Sequence, residues 1–131
     1  MRSGISINDE VMIMVCGVGA DIIEVERIRG CLTRYPRFAE RIFTATERFH
    51  LASYGDPAER VAGRFAAKEA VAKALGARLR WHEVEILPDE TGKPVVTLSG
   101  RAAEIAGMRR LLVSISHCRT HAMACAVVIS V

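Results

Sequence analysis

Aromatic side chains are scarce in this chain: four Phe, two Tyr and one Trp among 131 residues. A core must therefore be filled by Val, Ile, Leu and Ala. No apolar run approaches the 18 or so residues needed for a membrane helix, so no membrane partner is expected. Met1 to Glu10 carries one Arg, two acids and no long apolar stretch, which argues against a secretory signal. Cysteine is limited to Cys16, Cys31, Cys118 and Cys125. Nothing else resembles a small disulfide-stapled scaffold, so reduced thiols in the cytoplasm are expected. Internal repeats, low-complexity tracts and Pro/Ser-rich linkers are absent, and the length suits one domain.

What is present describes a globular protein. Half the residues are hydrophobic and a quarter are charged. The net charge of +3 is unevenly spread: Arg27, Arg29, Arg34, Arg37, Arg41 and Arg48 face only Glu40 and Glu47 over the same span. Such a run is either a solvated helical face or a dock for an acidic partner, protein or nucleic acid. Composition alone does not separate the two.

Helices are expected early and strands late. Val11 to Val18 reads as a buried strand feeding a tight turn at its glycines. Val25, Ile28, Leu32 and Tyr35 recur at helical spacing, so a helix follows Asp21 and ends before Pro36. Thr44-Ala45-Thr46-Glu47 has the form of a capping box that opens a helix running to about Tyr54. Pro57 to Leu75, started by Asp56-Pro57 and stopped by Gly76, is the longest expected helix. Val84 to Leu87 and Pro94 to Leu98 read as strands joined through Asp89-Glu90-Thr91-Gly92. Ser99 is expected to cap a short helix ending near Gly107, and Leu111 to Ser116 and Ala122 to Ile129 read as two further strands. The class is α+β, with antiparallel strands against a long helix.

The long helix holds most of the candidate chemistry. Val61, Phe65, Val71, Ala72 and Leu75 share an apolar face from which Arg64 and Lys68 also project. Ala62, Gly63, Ala66, Ala67, Ala70 and Ala74 form a small-residue face that lets another backbone come close. Glu69 and Lys73 form a third stripe, read either as an exposed i,i+4 ion pair or as functional groups. Gly17-Val18-Gly19-Ala20-Asp21 places a carboxylate just past a strand. It lacks the spacing of a phosphate-binding glycine loop and ends in an acid, which suits phosphate only if a divalent cation lies between. Magnesium takes one or two carboxylates, with waters and phosphate oxygens completing its shell. Asp21 and Glu69 would supply that pair, with Arg64, Lys68 or Lys73 holding the remaining phosphate charge. Asp21 read alone could equally cap the first helix. His117, Cys118, His121 and Cys125 have zinc-ligand types at a spacing matching no familiar finger, so His117 is better read as an anion or hydrogen-bond contact. Trp81 and Phe43 read as core or rim packing.

Three segments in this order, Gly17-Val18-Gly19-Ala20-Asp21, Arg64-Phe65-Ala66-Ala67-Lys68-Glu69 and Ser114-Ile115-Ser116-His117, resemble the acyl-carrier-protein synthase family of phosphopantetheinyl transferases. Gly92-Lys93-Pro94 supports the likeness, which runs from about Met14 to Val128. The resemblance implies a 4′-phosphopantetheinyl transferase-like fold in residues 14–131, preceded by an extension at 1–13, and a homotrimer with an active site at each subunit boundary. It implies transfer of 4′-phosphopantetheine from coenzyme A to a serine of apo acyl carrier protein, for fatty acid biosynthesis. Asp21 and Glu69 would bind Mg2+ and, with Lys73, form the catalytic centre. Arg64, Lys73 and His117 would contact coenzyme A phosphates, Lys68 and Ser116 would join the cofactor site, and adenine would lie near Gly92, Lys93 and Pro94. Arg27, Arg34 and Arg37 would face the acidic recognition helix of the carrier protein. Ala20 stands where the family usually has Thr, and Leu75 to Trp81 is shorter than the family's Gly-rich loop. Two other readings remain open: a transferase serving polyketide or peptide synthase carriers, and a non-enzymatic anion-binding module that leaves Asp21 and Glu69 without a purpose.

Overall fold

Gly17 and Gly19 determine how the molecule is assembled. In the computed structural model, which describes residues 4–7 and 11–130, both lie inside one long strand, β2 (Val11–Glu24), and make no turn. A Cβ on Gly17 would overlap the Ala74 carbonyl oxygen, and one on Gly19 that of Ala70. Both carbonyls belong to the 18-residue helix α4 (Ala58–Leu75), so the glycines admit a helix backbone against a strand backbone. The expected strand is thus extended by six residues, and its one irregularity is a bulge between Val15 and Gly17.

The small-residue face of α4 has the same cause. Ala62, Ala66, Ala67 and Ala70 are fully buried, and α4 packs on β2 and on β6 (His121–Ser130). That face is covered by the chain's own sheet and therefore does not itself call for a second copy. The sheet is antiparallel in the order β1-β2-β6-β5, with β1 (Gly4–Ile7) on the β2 edge and β5 (Arg110–His117) on the other. Residues 4–7 of the expected extension thus pair with residues 11–14, while residues 1–3 and 8–10 of it lie outside the described residues. A separate hairpin, β3 (Val84–Pro88) and β4 (Pro94–Leu98), turns through Gly92 at φ +90°.

The helices follow their signals with local differences. α1 (Val25–Arg34) begins four residues after Asp21, because the strand continues to Glu24; Asp21 is therefore not its cap. Val25 and Ile28 are buried, whereas Tyr35 falls outside the helix and is exposed. A short α2 (Phe38–Ile42), too brief to show periodicity, delivers Phe43 to the core. α3 (Ala45–Leu51) opens on the expected capping box: Glu47 N donates to Thr44 Oγ1, and Thr44 N donates to Glu47 Oε1. It ends at Leu51, and the bonds from Ser53 to His50 and from Tyr54 to Leu51 carry the tighter 3₁₀ pattern through Tyr54. α4 stops at Gly76 in the left-handed conformation. Before α5 (Gly100–Ala106), Ser99 makes no side-chain cap; the Glu83 carboxylate accepts from Arg101 N instead, at 3.1 Å. Phe43 is fully buried, and Trp81 stacks on Phe65 at 5.2 Å between centroids.

Candidate active site

Alternation along β2 turns Gly19, Asp21 and Ile23 toward α4, while Val18 and Ile22 face outward. Asp21 thereby meets Glu69 and Lys73, which stand one turn apart on the helix. Lys73 Nζ donates to the Ala20 carbonyl at 2.9 Å and to Asp21 Oδ1 at 3.3 Å. Lys73 thus turns to the strand, and its exposed i,i+4 pairing with Glu69 is not formed among the described residues. Asp21 and Glu69 line one cavity of about 280 Å³ with Arg27, Cys31, Phe38 and Phe65 among its walls. Burial, and then the Asp21 carboxylate, push the Glu69 pKa up, with Lys73 opposing.

Two carboxylates that repel across a partly desolvated cavity suit a divalent cation. No cluster of three His, Cys, Asp or Glu groups able to hold a metal exists among the described residues. Magnesium would need only one or two carboxylates from the protein if phosphates and waters supplied the rest. The zinc-type residues do not converge: Cys118 and His121 each bond Thr120, and Cys125 is exposed on β6.

A second cavity, of about 240 Å³, lies elsewhere on α4. Arg64, Gly92, Pro94 and His117 line it, together with His50, Tyr54 and Arg60. Arg64 is only 8% exposed, yet its Nε and Nη1 have no hydrogen-bond partner among the described residues. Its Nη2 lies 3.2 Å from His50 Nδ1. Burial, then Arg64, then Arg60 lower the His50 pKa, so His50 is the neutral acceptor of that bond. A buried guanidinium with two free donors is a strong pull on an anion. Arg60 sits 4.0 Å above the Tyr54 ring, and Ile86, Leu87 and Pro88 add an apolar wall. His50, Tyr54 and Arg60 escaped the sequence reading because they lie on α3, the turn after it and the first turn of α4, outside the motifs, and reach Arg64 only through packing.

Three expected contacts fall elsewhere. Lys68 is 2% exposed, and its ammonium donates to Glu47 Oε1 at 2.6 Å, to the Ile42 carbonyl at 2.9 Å and to the Trp81 carbonyl at 3.0 Å. All three of its donors are thereby used, so the expectation that it reaches a phosphate does not fit this structure. Glu47, fully buried, also accepts from Ile86 N at 2.9 Å. Ser116 lies on the outward face of β5, opposite Ile115 and His117, and so away from the Arg64 cavity. Lys93 is exposed and lines a different groove with Asp89 and Arg110.

The basic segment borders the carboxylates. Arg27 lines their cavity, and Arg37 and Arg41 flank an apolar hollow of about 570 Å³ that shares Cys31 and Phe38 with it. Arg34, exposed, closes α1, whereas Arg29 is taken up by Glu26 and Asp56.

Residues 17–126 match the 4′-phosphopantetheinyl transferase superfamily. A holo-[acyl-carrier-protein] synthase of Protochlamydia amoebophila is 46% identical over 119 residues, 87% of this chain and 98% of that protein. The chain belongs to the holo-acyl-carrier-protein synthase family. A second synthase relative, from Alkaliphilus metalliredigens, is likewise 46% identical, over 87% of this chain and 98% of its own. The fold also matches a synthase crystal structure from Bacillus anthracis in complex with CoA (3′,5′-ADP), with a TM-score of 0.78, 36% identity and coverage of 89% and 98%. The synthase of Helicobacter pylori in complex with coenzyme A matches with a TM-score of 0.77 at 31% identity, covering 85% of this chain and 98% of that one. In the described residues of this family member, no helix is long and apolar enough to cross a membrane.

Proposed function

We propose that this chain transfers the 4′-phosphopantetheine group of coenzyme A to a serine of apo acyl carrier protein in the cytoplasm, supplying holo carrier for fatty acid biosynthesis. The observation that carries this reading is the pairing of Asp21 and Glu69 on one cavity bordered by the basic helix α1. The serine hydroxyl forms a bond to the phosphorus that bears pantetheine. The bond from that phosphorus to the bridging oxygen breaks, and adenosine 3′,5′-bisphosphate leaves with the electron pair. Asp21 and Glu69 would hold a magnesium ion, which would supply positive charge at the phosphate oxygens. The acidic site or a bound water takes the serine proton. Lys73 donates to Asp21 Oδ1 and adds a cation at its edge. Arg64, with Nε and Nη1 free, binds a further phosphate, and His117 stands beside it. The apolar wall of Ile86, Leu87 and Pro88 beside Gly92 and Pro94 offers a flat surface for adenine. Arg27, Arg34 and Arg37 receive the acidic carrier.

The active enzyme is a homotrimer of this one domain, residues 14–131. Arg64 and Glu69 are five positions apart on α4, roughly 140° around its axis, and their cavities share no lining residue. One coenzyme A can engage both only if a second copy brings the missing half. The outward sheet face offers the contact surface: Val15, Val18, Ile22, Leu112 and Met123 are exposed there. Incubation with coenzyme A, Mg2+ and apo carrier protein, followed by mass spectrometry of the carrier, should show the mass gain of one phosphopantetheine. An unmodified carrier would overturn the reading.

A further inference from the structure

One charged contact beside the second cavity has no part in the chemistry above. Glu59, in the first turn of α4, places Oε1 3.2 Å from Nδ1 of His117, the last residue of β5. The approach is built into the packing. Gly63, one turn beyond Glu59 on the same side of the helix, leaves room for the strand: a Cβ there would stand 2.8 Å from Ile115 Cγ2 and 4.0 Å from His117 Cδ2. With Nδ1 held by the carboxylate, Nε2 is the ring nitrogen left for a ligand in the cavity that His117 lines. The other charged or titratable groups around it are Arg60 and Arg64 on α4, His50 and Tyr54 on α3 and the turn after it, and Cys118 next in the chain. Glu59 is the carboxylate in contact with it.

We propose that Glu59 is a positioning residue that acts through His117: it holds Nδ1–H as donor to the carboxylate, so that the Nε2 edge of the ring is presented to a phosphate group of the substrate. This rests on the reading of the Arg64 cavity as a phosphate site of coenzyme A. The bland alternative is an acidic first-turn residue that merely complements the dipole of α4.

Ring-nitrogen NMR of His117 in wild type, Glu59→Gln and Glu59→Asp, with KM for coenzyme A and kcat measured on the same proteins, separates the two. Glu59→Gln should alter the ring-nitrogen shifts of His117, because Nδ1 loses its carboxylate acceptor. It should raise KM for coenzyme A by about three- to tenfold, with kcat at saturation changed less than about twofold. Glu59→Asp should recover part of both effects, and binding of inorganic pyrophosphate should weaken in Glu59→Gln in parallel with KM. Unchanged ring-nitrogen shifts of His117, or a lowered melting temperature with KM intact, would refute the proposal and leave only the dipole role. The NMR and pyrophosphate arms need no turnover. A wild type inactive on coenzyme A that still showed both shifts would sink the transferase reading and leave the Glu59–His117 pair standing.

Discussion

Asp21 and Glu69 repel one another across their cavity, and the metal-free fold bears that cost at Glu69, whose pKa is raised by burial first and by Asp21 second. The folded state therefore holds a proton on Glu69 more tightly than the unfolded chain does. Its stabilising contribution is complete below the ordinary Glu range, near about 4.3, and is lost as pH rises through the folded value. Metal-free Glu69→Gln should accordingly melt higher than metal-free wild type at neutral pH, and the difference should vanish on acidification. The same substitution, Asp21→Ala and excess chelator should each cut transfer by more than about 100-fold. Calorimetry across pH, read beside the transfer assay, checks both halves. Full turnover in chelator, or by either variant, would remove the metal role. Lys68 shows what residue type alone conceals. A lysine between two candidate ligands on a motif helix reads as a phosphate contact. Its real partners, Glu47, Ile42 and Trp81, come from three segments whose convergence depends on tertiary packing.

Among the elements, α1 carries the clearest surface test. Arg34 and Arg37 are exposed, and Arg37 edges the apolar hollow beside the carboxylate cavity. Each exposed pair with an acidic partner is worth about 0.2–1 kcal/mol, so reversing both to Glu should raise KM for the carrier roughly tenfold and leave KM for coenzyme A near wild type. Wild-type association should also weaken as salt increases. Nucleic-acid binding lost in the same variant would favour the anion-binding alternative, and unaltered carrier use would make the segment a solvated face. The elements also show where local signals suffice. The Thr44–Glu47 capping box and the Gly76 stop are set by neighbouring residues, and both form as read. Gly17 and Gly19 have two explanations, a turn or a close approach, and only the position of Ala70 and Ala74 across the fold decides for the second. For that reason the strand was read six residues short and Asp21 was open to misreading as a helix cap. The carboxylate pair itself was legible because it lies in two specific motifs. His50, Tyr54 and Arg60 were not, since they join Arg64 only through packing.

At the scale of the molecule, the two half-sites on α4 and the apolar outer face of the sheet both point beyond one chain. Light scattering should give the mass of three chains at assay concentrations. Val18→Glu combined with Ile22→Glu, on that outer face, should give a folded monomer by circular dichroism with transfer lost, since a charge buried at such a contact lacks a partner. An active monomer would refute the trimer.

The order β1-β2-β6-β5 has a consequence during synthesis. The strand at the heart of the sheet, β6, leaves the ribosome after both strands that flank it, β2 and β5. Until it is made, β2 has no partner on its inner edge and α4 has only part of the surface its alanines require. Until β6 is made, the growing chain therefore exposes a long apolar strand edge, which is the state most open to wrong pairing with a neighbouring chain. The sheet closes beneath the helix only when β6 enters between two strands that precede it in the chain.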